Sequence, residues 1–119
     1  MPFVAGNLYW ITYNYINPIH EKISLCICPN QPLFFWINSN ARFHGVGQLL
    51  IKKDICPFLQ YDSYLDLSSV KTGSVSEMST ARNEGAMSTD MKKLVVAQLA
   101  NSNQLLADSH RLLAIANLS

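Results

Sequence analysis

Residues 23–38 read ISLCICPNQPLFFWIN. Two apolar runs, residues 23–28 and 33–37, flank the polar Pro29-Asn30-Gln31-Pro32. Short runs rich in β-branched and aromatic residues, bounded by Pro and Asn, read as strands. A connection this short folds them into an antiparallel hairpin. Side chains alternate along a strand, so Ile23, Leu25 and Ile27 share one face and Ser24, Cys26 and Cys28 the other. In the second run Phe34 and Trp36 oppose Leu33, Phe35 and Ile37. Neither run has a polar face, so the hairpin is expected to be covered on both sides, in a small closed barrel or in a sheet beneath a helix.

Outward from the hairpin, residues 8–13 (LYWITY) read as a first strand after the Gly6-Asn7 turn, and residues 14–21 as a loop with a turn at Asn17-Pro18. Residues 39–47 are polar and carry two glycines; residues 48–51 form a short strand. Residues 52–57 fit a turn or one helical turn closed by Pro57. Residues 59–67 (LQYDSYLDL) alternate as a strand with one wet face, which carries Asp62, Tyr64 and Asp66. After Ser68 large apolar residues thin out. Ser74 and Glu77 have capping-box spacing, which predicts a short helix ended at Gly85. Ser88 or Thr89 then caps a second helix with Met91, Leu94, Val95 and Leu99 on one stripe. Residues 107–118 resume the helix with Leu112, Leu113 and Ala116, after a turn near Asn103.

The 119-residue chain is long enough for one domain with a proper core. It is 49% hydrophobic and 14% charged, about half the charge usual in a soluble domain. A formal net charge of +1 excludes binding nucleic acid by bulk charge, so any such contact needs a local patch. Sparse surface charge also suits a homodimer or a protein partner. The first ten residues, MPFVAGNLYW, lack the basic and apolar regions of a signal peptide. No apolar run approaches the roughly 18–20 residues of a membrane span, so no membrane contact is expected. Three cysteines cannot all pair within one chain, and they read as reduced thiols of a cytoplasmic protein.

Several groups of residues carry chemistry. Cys26, Cys28 and Cys56 with His20 and His44 contain zinc-ligand types, but the spacing is not that of a zinc knuckle, and the cysteines read as small buried hydrophobes. Metal is not expected. Cys56 has no helix amino terminus to lower its pKa, which argues against a nucleophile. His20-Glu21-Lys22 in the loop before the hairpin, with Arg42 and His44 in the loop after it, supply a base or acid, a carboxylate and cations. Cleaving RNA through its own 2′-hydroxyl needs those types: a proton acceptor, a proton donor and positive charge for the transition state. Loops hold charged residues for solvation as well. Among the aromatic residues, Tyr13, Tyr15 and Phe43 are expected to be the exposed ones that could stack bases.

Gly6-Asn7-Leu8-Tyr9-Trp10-Ile11, then Asn17-Pro18 with Glu21-Lys22, the apolar hairpin, and the run from Tyr61-Asp62-Ser63 to Lys71-Thr72 together resemble the PemK/MazF-like plasmid-maintenance toxins. The resemblance covers about residues 5–72. It implies an SH3-like small antiparallel β-barrel over residues 1–72, with residues 73–119 as a helical extension of two or three helices in the same folding unit. It also implies, in true members, a metal-independent endoribonuclease acting on single-stranded RNA, often dimeric, with no cofactor. The family's Arg-Pro pair is absent: Lys22-Ile23-Ser24 stands in its place, and Lys71 stands where the family has Arg. Lys neutralises phosphate as a point charge but lacks the planar fork of Arg. On this reading His20 or Glu21 is the base, and Lys22 and Lys71 stabilise the phosphate. Ser39, Arg42, Phe43, His44 and Thr72 bind substrate. The alternative is a non-catalytic interaction module of a mobile element or toxin–antitoxin system, with an antitoxin or other protein as partner.

Overall fold

The structure, a computed structural model, describes residues 3–57, 59–101 and 106–119. Six strands form one antiparallel sheet: β1 (Asn7–Tyr13), β2 (His20–Cys28), β3 (Leu33–Asn38), β4 (Gln48–Ile51), β5 (Ser63–Asp66) and β6 (Arg82–Ala86). The helices are α1 (Val75–Met78), α2 (Thr89–Asn101) and α3 (Asp108–Leu118). The strand order is β4-β5-β3-β2-β1-β6. Among the described residues no pairing joins the edges β4 and β6, so the sheet is open and a closed barrel is not shown. The mainly β fold with helices toward the carboxyl end is as expected. Among the described residues no helix is long and apolar enough to cross a membrane.

The hairpin is the centre of the sheet and is buried on both faces, as its lack of a polar face requires. Ile23, Leu25, Ile27, Phe35 and Ile37 pack on one side with Leu8, Leu65 and the inner stripes of α2 and α3. Tyr9, Ile11, Tyr13, Cys26, Phe34 and Trp36 pack on the other with Phe3, Met78 and Ala81. Each large side chain buried this way contributes about 1.5–3 kcal/mol against exposure. The β2–β3 register slips between Cys26 and Cys28. That bulge turns Cys28 onto the helix-covered face with Ile27, away from Cys26, rather than beside it as strict alternation predicts.

Met91, Val95 and Leu99 of α2 lie against the sheet, and the Ser88 hydroxyl accepts from the Met91 amide. Leu94, expected on that stripe, is exposed, and the neighbouring Val96 packs on the core instead. In α3 the buried residues are Ala114 and Leu118; Leu113 packs partly on the core, while Leu112 and Ala116 face outward. The Asn117 amide donates to the Ile27 carbonyl and ties α3 to β2. The turn expected near Asn103 lies outside the described residues.

Two local expectations need correction. The capping box is present, but α1 ends at Met78, and the residues expected to continue it toward Gly85 form the edge strand β6. Arg82-Asn83-Glu84-Gly85-Ala86 has no apolar stripe to bury as a helix, whereas the open edge of β1 offers unpaired backbone groups. Gly85, at φ +101°, sits where the β1–β6 register slips between Leu8 and Tyr9. The strand expected over residues 59–67 is only Ser63–Asp66; Asp62 before it accepts from the Lys53 amide and closes a turn. The sheet thus takes its sixth strand from beyond residue 72.

Candidate functional site

On the face of the sheet away from α2 and α3, β2 and β3 place Lys22, Ser24, Trp36 and Asn38 together, because each pair is two residues apart on its strand. The Lys22 ammonium donates to Asn38 Oδ1 and lies 5.4 Å from the centre of the Trp36 ring. Lys71 comes from 49 positions later, fixed by a two-way backbone pairing with Phe34, and its ammonium lies 4.8 Å from the same ring. Two cations on one indole are each worth about 0.5–1 kcal/mol by cation–π attraction, against their mutual repulsion. Tyr15 stacks on Trp36 at 5.9 Å with an interplanar angle of 19°, and its hydroxyl donates to the Thr72 carbonyl. Tyr13 lies 5.0 Å from Trp36 and shares a hydrogen bond with Ser24. It is fully buried, contrary to its expected exposure, because Tyr15 and Trp36 cover it. The indole Nε1 is buried and reaches toward Tyr13 without a well-formed hydrogen bond.

A carboxylate underlies this patch. Asp66, expected on a wet face, is 1% exposed. Its Oδ1 accepts from Gln48 Nε2, the Ser68 amide and the Ser68 hydroxyl. Its Oδ2 has no hydrogen bond and faces Arg42 Nη1 at 3.9 Å. Burial alone would raise the Asp66 pKa; the Ser68 and Gln48 donors and the Arg42 charge outweigh it and hold the carboxyl below its usual range. Lys22 is pushed below the usual lysine range by burial, then by Lys71 and Arg42, with Asp66 opposing. Lys22 therefore feels positive charge from two other segments, those that carry Lys71 and Arg42.

Glu21 is not part of this cluster. One residue from Lys22 on a strand, it points to the opposite face, where Arg82 of β6 holds it in a bidentate pair at 2.9 and 3.2 Å. His20, Glu21, Lys22 and Ser39 line a cavity of about 340 Å³ at the open end of the β2–β3 pair. His20 Nδ1 is 2.7 Å from the Pro18 carbonyl. The Thr72 hydroxyl donates to the Pro32 carbonyl, which makes it a tie for the β2–β3 turn. Phe43 is 96% exposed, its ring edge toward His44, whose Nδ1 accepts from the Val46 amide. The nine candidate residues thus separate: Lys22 and Lys71 at Trp36 with Arg42 over Asp66, Thr72 bracing the loop beside them, His20, Glu21 and Ser39 at the cavity, Phe43 and His44 apart.

Sequence reasoning missed Asp66, Gln48, Ser68 and Arg82, and read Trp36 as plain core. Asp66 carries no local signal, since an alternating strand gives an acid on its polar face no reason to be buried. The three cysteines are free and buried, and burial pushes the Cys26 thiol up to about 12, so it is no thiolate at neutral pH. Among the described residues no three His, Cys, Asp or Glu side chains gather as a metal site. Neither a scan against protein-family models nor a search of curated proteins finds a match to the chain, so the chemistry of the site rests on its geometry.

Proposed function

We propose that the protein binds the backbone of single-stranded RNA at the Lys22–Arg42–Lys71 cluster, as a diverged relative of the PemK/MazF-like toxins with a sheet of SH3-like type. The observation that carries this reading is the meeting of two cations from separate segments, Lys22 and Lys71, on the Trp36 ring, with Arg42 close enough to bear on Lys22 from over Asp66. Lys22, partly buried among like charges, lacks a full counter-charge, and a phosphate would supply one. The exposed face of Tyr15, already stacked on Trp36, offers a base a platform. With a net charge of only +1, electrostatic binding of RNA needs a local patch of this kind.

In this reading cleavage through the 2′-hydroxyl needs no metal. His20 accepts the 2′-hydroxyl proton as the 2′-oxygen attacks phosphorus. The bond to the 5′-oxygen breaks, that oxygen takes a proton from water, and a 2′,3′-cyclic phosphate is left. Lys22, Arg42 and Lys71 stabilise the charge that builds on the phosphate. Glu21 is left out of the chemistry because Arg82 holds it across the sheet. The test is incubation of mixed-sequence single-stranded RNA with purified protein in EDTA, followed by native and denaturing gels. Lys22→Ala and Lys71→Ala should abolish both the shifted band and the shortened products, and His20→Ala only the products. Intact, unshifted RNA with a folded protein would overturn the reading.

The non-catalytic interaction module is favoured by one observation, the nearly complete exposure of Phe43. It predicts that Phe43→Ser changes self-association, read by sedimentation, while Lys71→Ala leaves it unchanged.

A further inference from the structure

The cavity of about 340 Å³ beyond the cation cluster has a lining of a different kind. Its apolar part is Ile23, Ile37, Leu59 and the half-buried Trp10, and the exposed Tyr61 stands at its loop side. Its polar part is Ser39, Gln60, Ser63 and His20, with the cationic Lys22. The Pro18 carbonyl can only accept, so the His20 Nδ1 at 2.7 Å from it carries the proton, which leaves Nε2 for the 2′-hydroxyl proton and the edge of a base to Ser39 and Gln60. Ser39 and Gln60 each offer a donor and an acceptor. The one carboxylate of the lining, Glu21, is already neutralised by Arg82. With Glu21 neutralised, Lys22 is the one charge left in the lining. Aromatic walls with mixed donors and acceptors and a single cation suit the face and edge of a planar heterocycle attached to a phosphate, and they do not suit a metal cation.

We infer that this cavity is a nucleobase pocket, which takes an unstacked base of the RNA strand whose phosphate lies on the cation cluster. Lys22 joins the two sites: it lines the cavity and also reaches Trp36 and Asn38 on the other face. A strand crossing the open end of the β2–β3 pair therefore places its phosphate on one side of Lys22 and a base on the other. Single-stranded RNA is read in this manner, by bases splayed out onto aromatic side chains and bonded at their edges. The inference rests on the RNA-binding reading and adds which part of the ligand enters the cavity and which side chains hold it.

The experiment compares a hexamer RNA with an abasic ribose-phosphate hexamer of the same length, by fluorescence anisotropy in EDTA. The proteins are wild type, Tyr61→Ala, Tyr61→Phe and Lys71→Ala, each checked by thermal melting. Tyr61→Ala should weaken the base-bearing hexamer about tenfold, as loss of one stacked base does, and leave the abasic one unchanged. Tyr61→Phe should restore binding. Lys71→Ala should weaken both hexamers by the same factor. If Tyr61→Ala affects neither hexamer, or both equally, while Lys71→Ala weakens both, the base pocket is overturned and the RNA-binding reading stands. If wild type binds neither hexamer, both are overturned.

Discussion

Asp66 keeps one oxygen saturated by Gln48 and Ser68 and turns the other toward Arg42. Its folded-state pKa is depressed, so the stability it contributes is fully present above its unfolded-state value and is lost as the pH falls through the folded-state value. Asp66→Asn keeps an acceptor but removes the charge, and should cost about 1–3 kcal/mol at neutral pH. Urea denaturation should show wild type losing more stability than the variant as the pH is lowered below about 4. Equal losses would mean that Asp66 is not held as a carboxylate. Lys22 carries the converse prediction. Lys71→Ala removes a neighbouring like charge and should raise the Lys22 pKa toward the usual range, measured by NMR of the labelled lysine side chain. An unchanged value would leave burial and Arg42 as the causes. The burial of Asp66 and the like-charged surroundings of Lys22 were not legible in the sequence. Lys22 and Glu21 are neighbours in the sequence, yet adjacent strand residues point to opposite faces: Trp36 and Lys71 meet Lys22 on one, and Arg82 meets Glu21 on the other.

At the scale of elements, α1 is one turn of helix held by both halves of its capping box. The Glu77 carboxylate accepts from the Ser74 amide on one oxygen and from the Asn14 amide on the other. Ser74→Ala should cost about 1 kcal/mol, as for other helix caps. Glu77→Ala should cost more, because it strips the acceptor from two backbone amides at once. Urea denaturation of the two variants gives the order; a smaller loss for Glu77→Ala would sink the account of this corner. Gly85→Ala tests β6 separately. A Cβ there meets nothing within 4 Å, so its cost comes from the left-handed backbone alone, about 1 kcal/mol or slightly more. The contrast with β2 and β3 shows why one part of the sheet is legible and another is not. Ile, Leu, Cys and aromatic residues alternate into two cores and announce a strand. Residues 82–86 bury little and are strand only because β1 has an open edge. The same limit applies to Leu94 and Leu112, which helical spacing marks as apolar but which packing leaves outside.

Across the whole molecule, the sheet places two kinds of surface back to back. The side under α2 and α3 is closed by aliphatic packing along most of its length and opens at the cavity beside Trp10 and at a second one between Ile51, Cys56 and Met91. The other side ends in an aromatic cluster on which Lys22 and Lys71 rest, with Arg42 beside them over Asp66. The hairpin's two apolar faces made this two-sided core readable from the sequence. The meeting of residues 22, 42 and 71 was not readable, because it depends on the Phe34–Lys71 bridge and on the loop that carries Arg42. The most direct test of the cation cluster is the salt dependence of single-stranded RNA binding by wild type and Lys71→Ala. Three phosphate-facing cations predict a slope of log K against log salt near −2, at about −0.7 for each, and Lys71→Ala should make it shallower by about 0.7. Absence of binding by a folded protein, or a slope that Lys71→Ala leaves unchanged, would contradict the assignment.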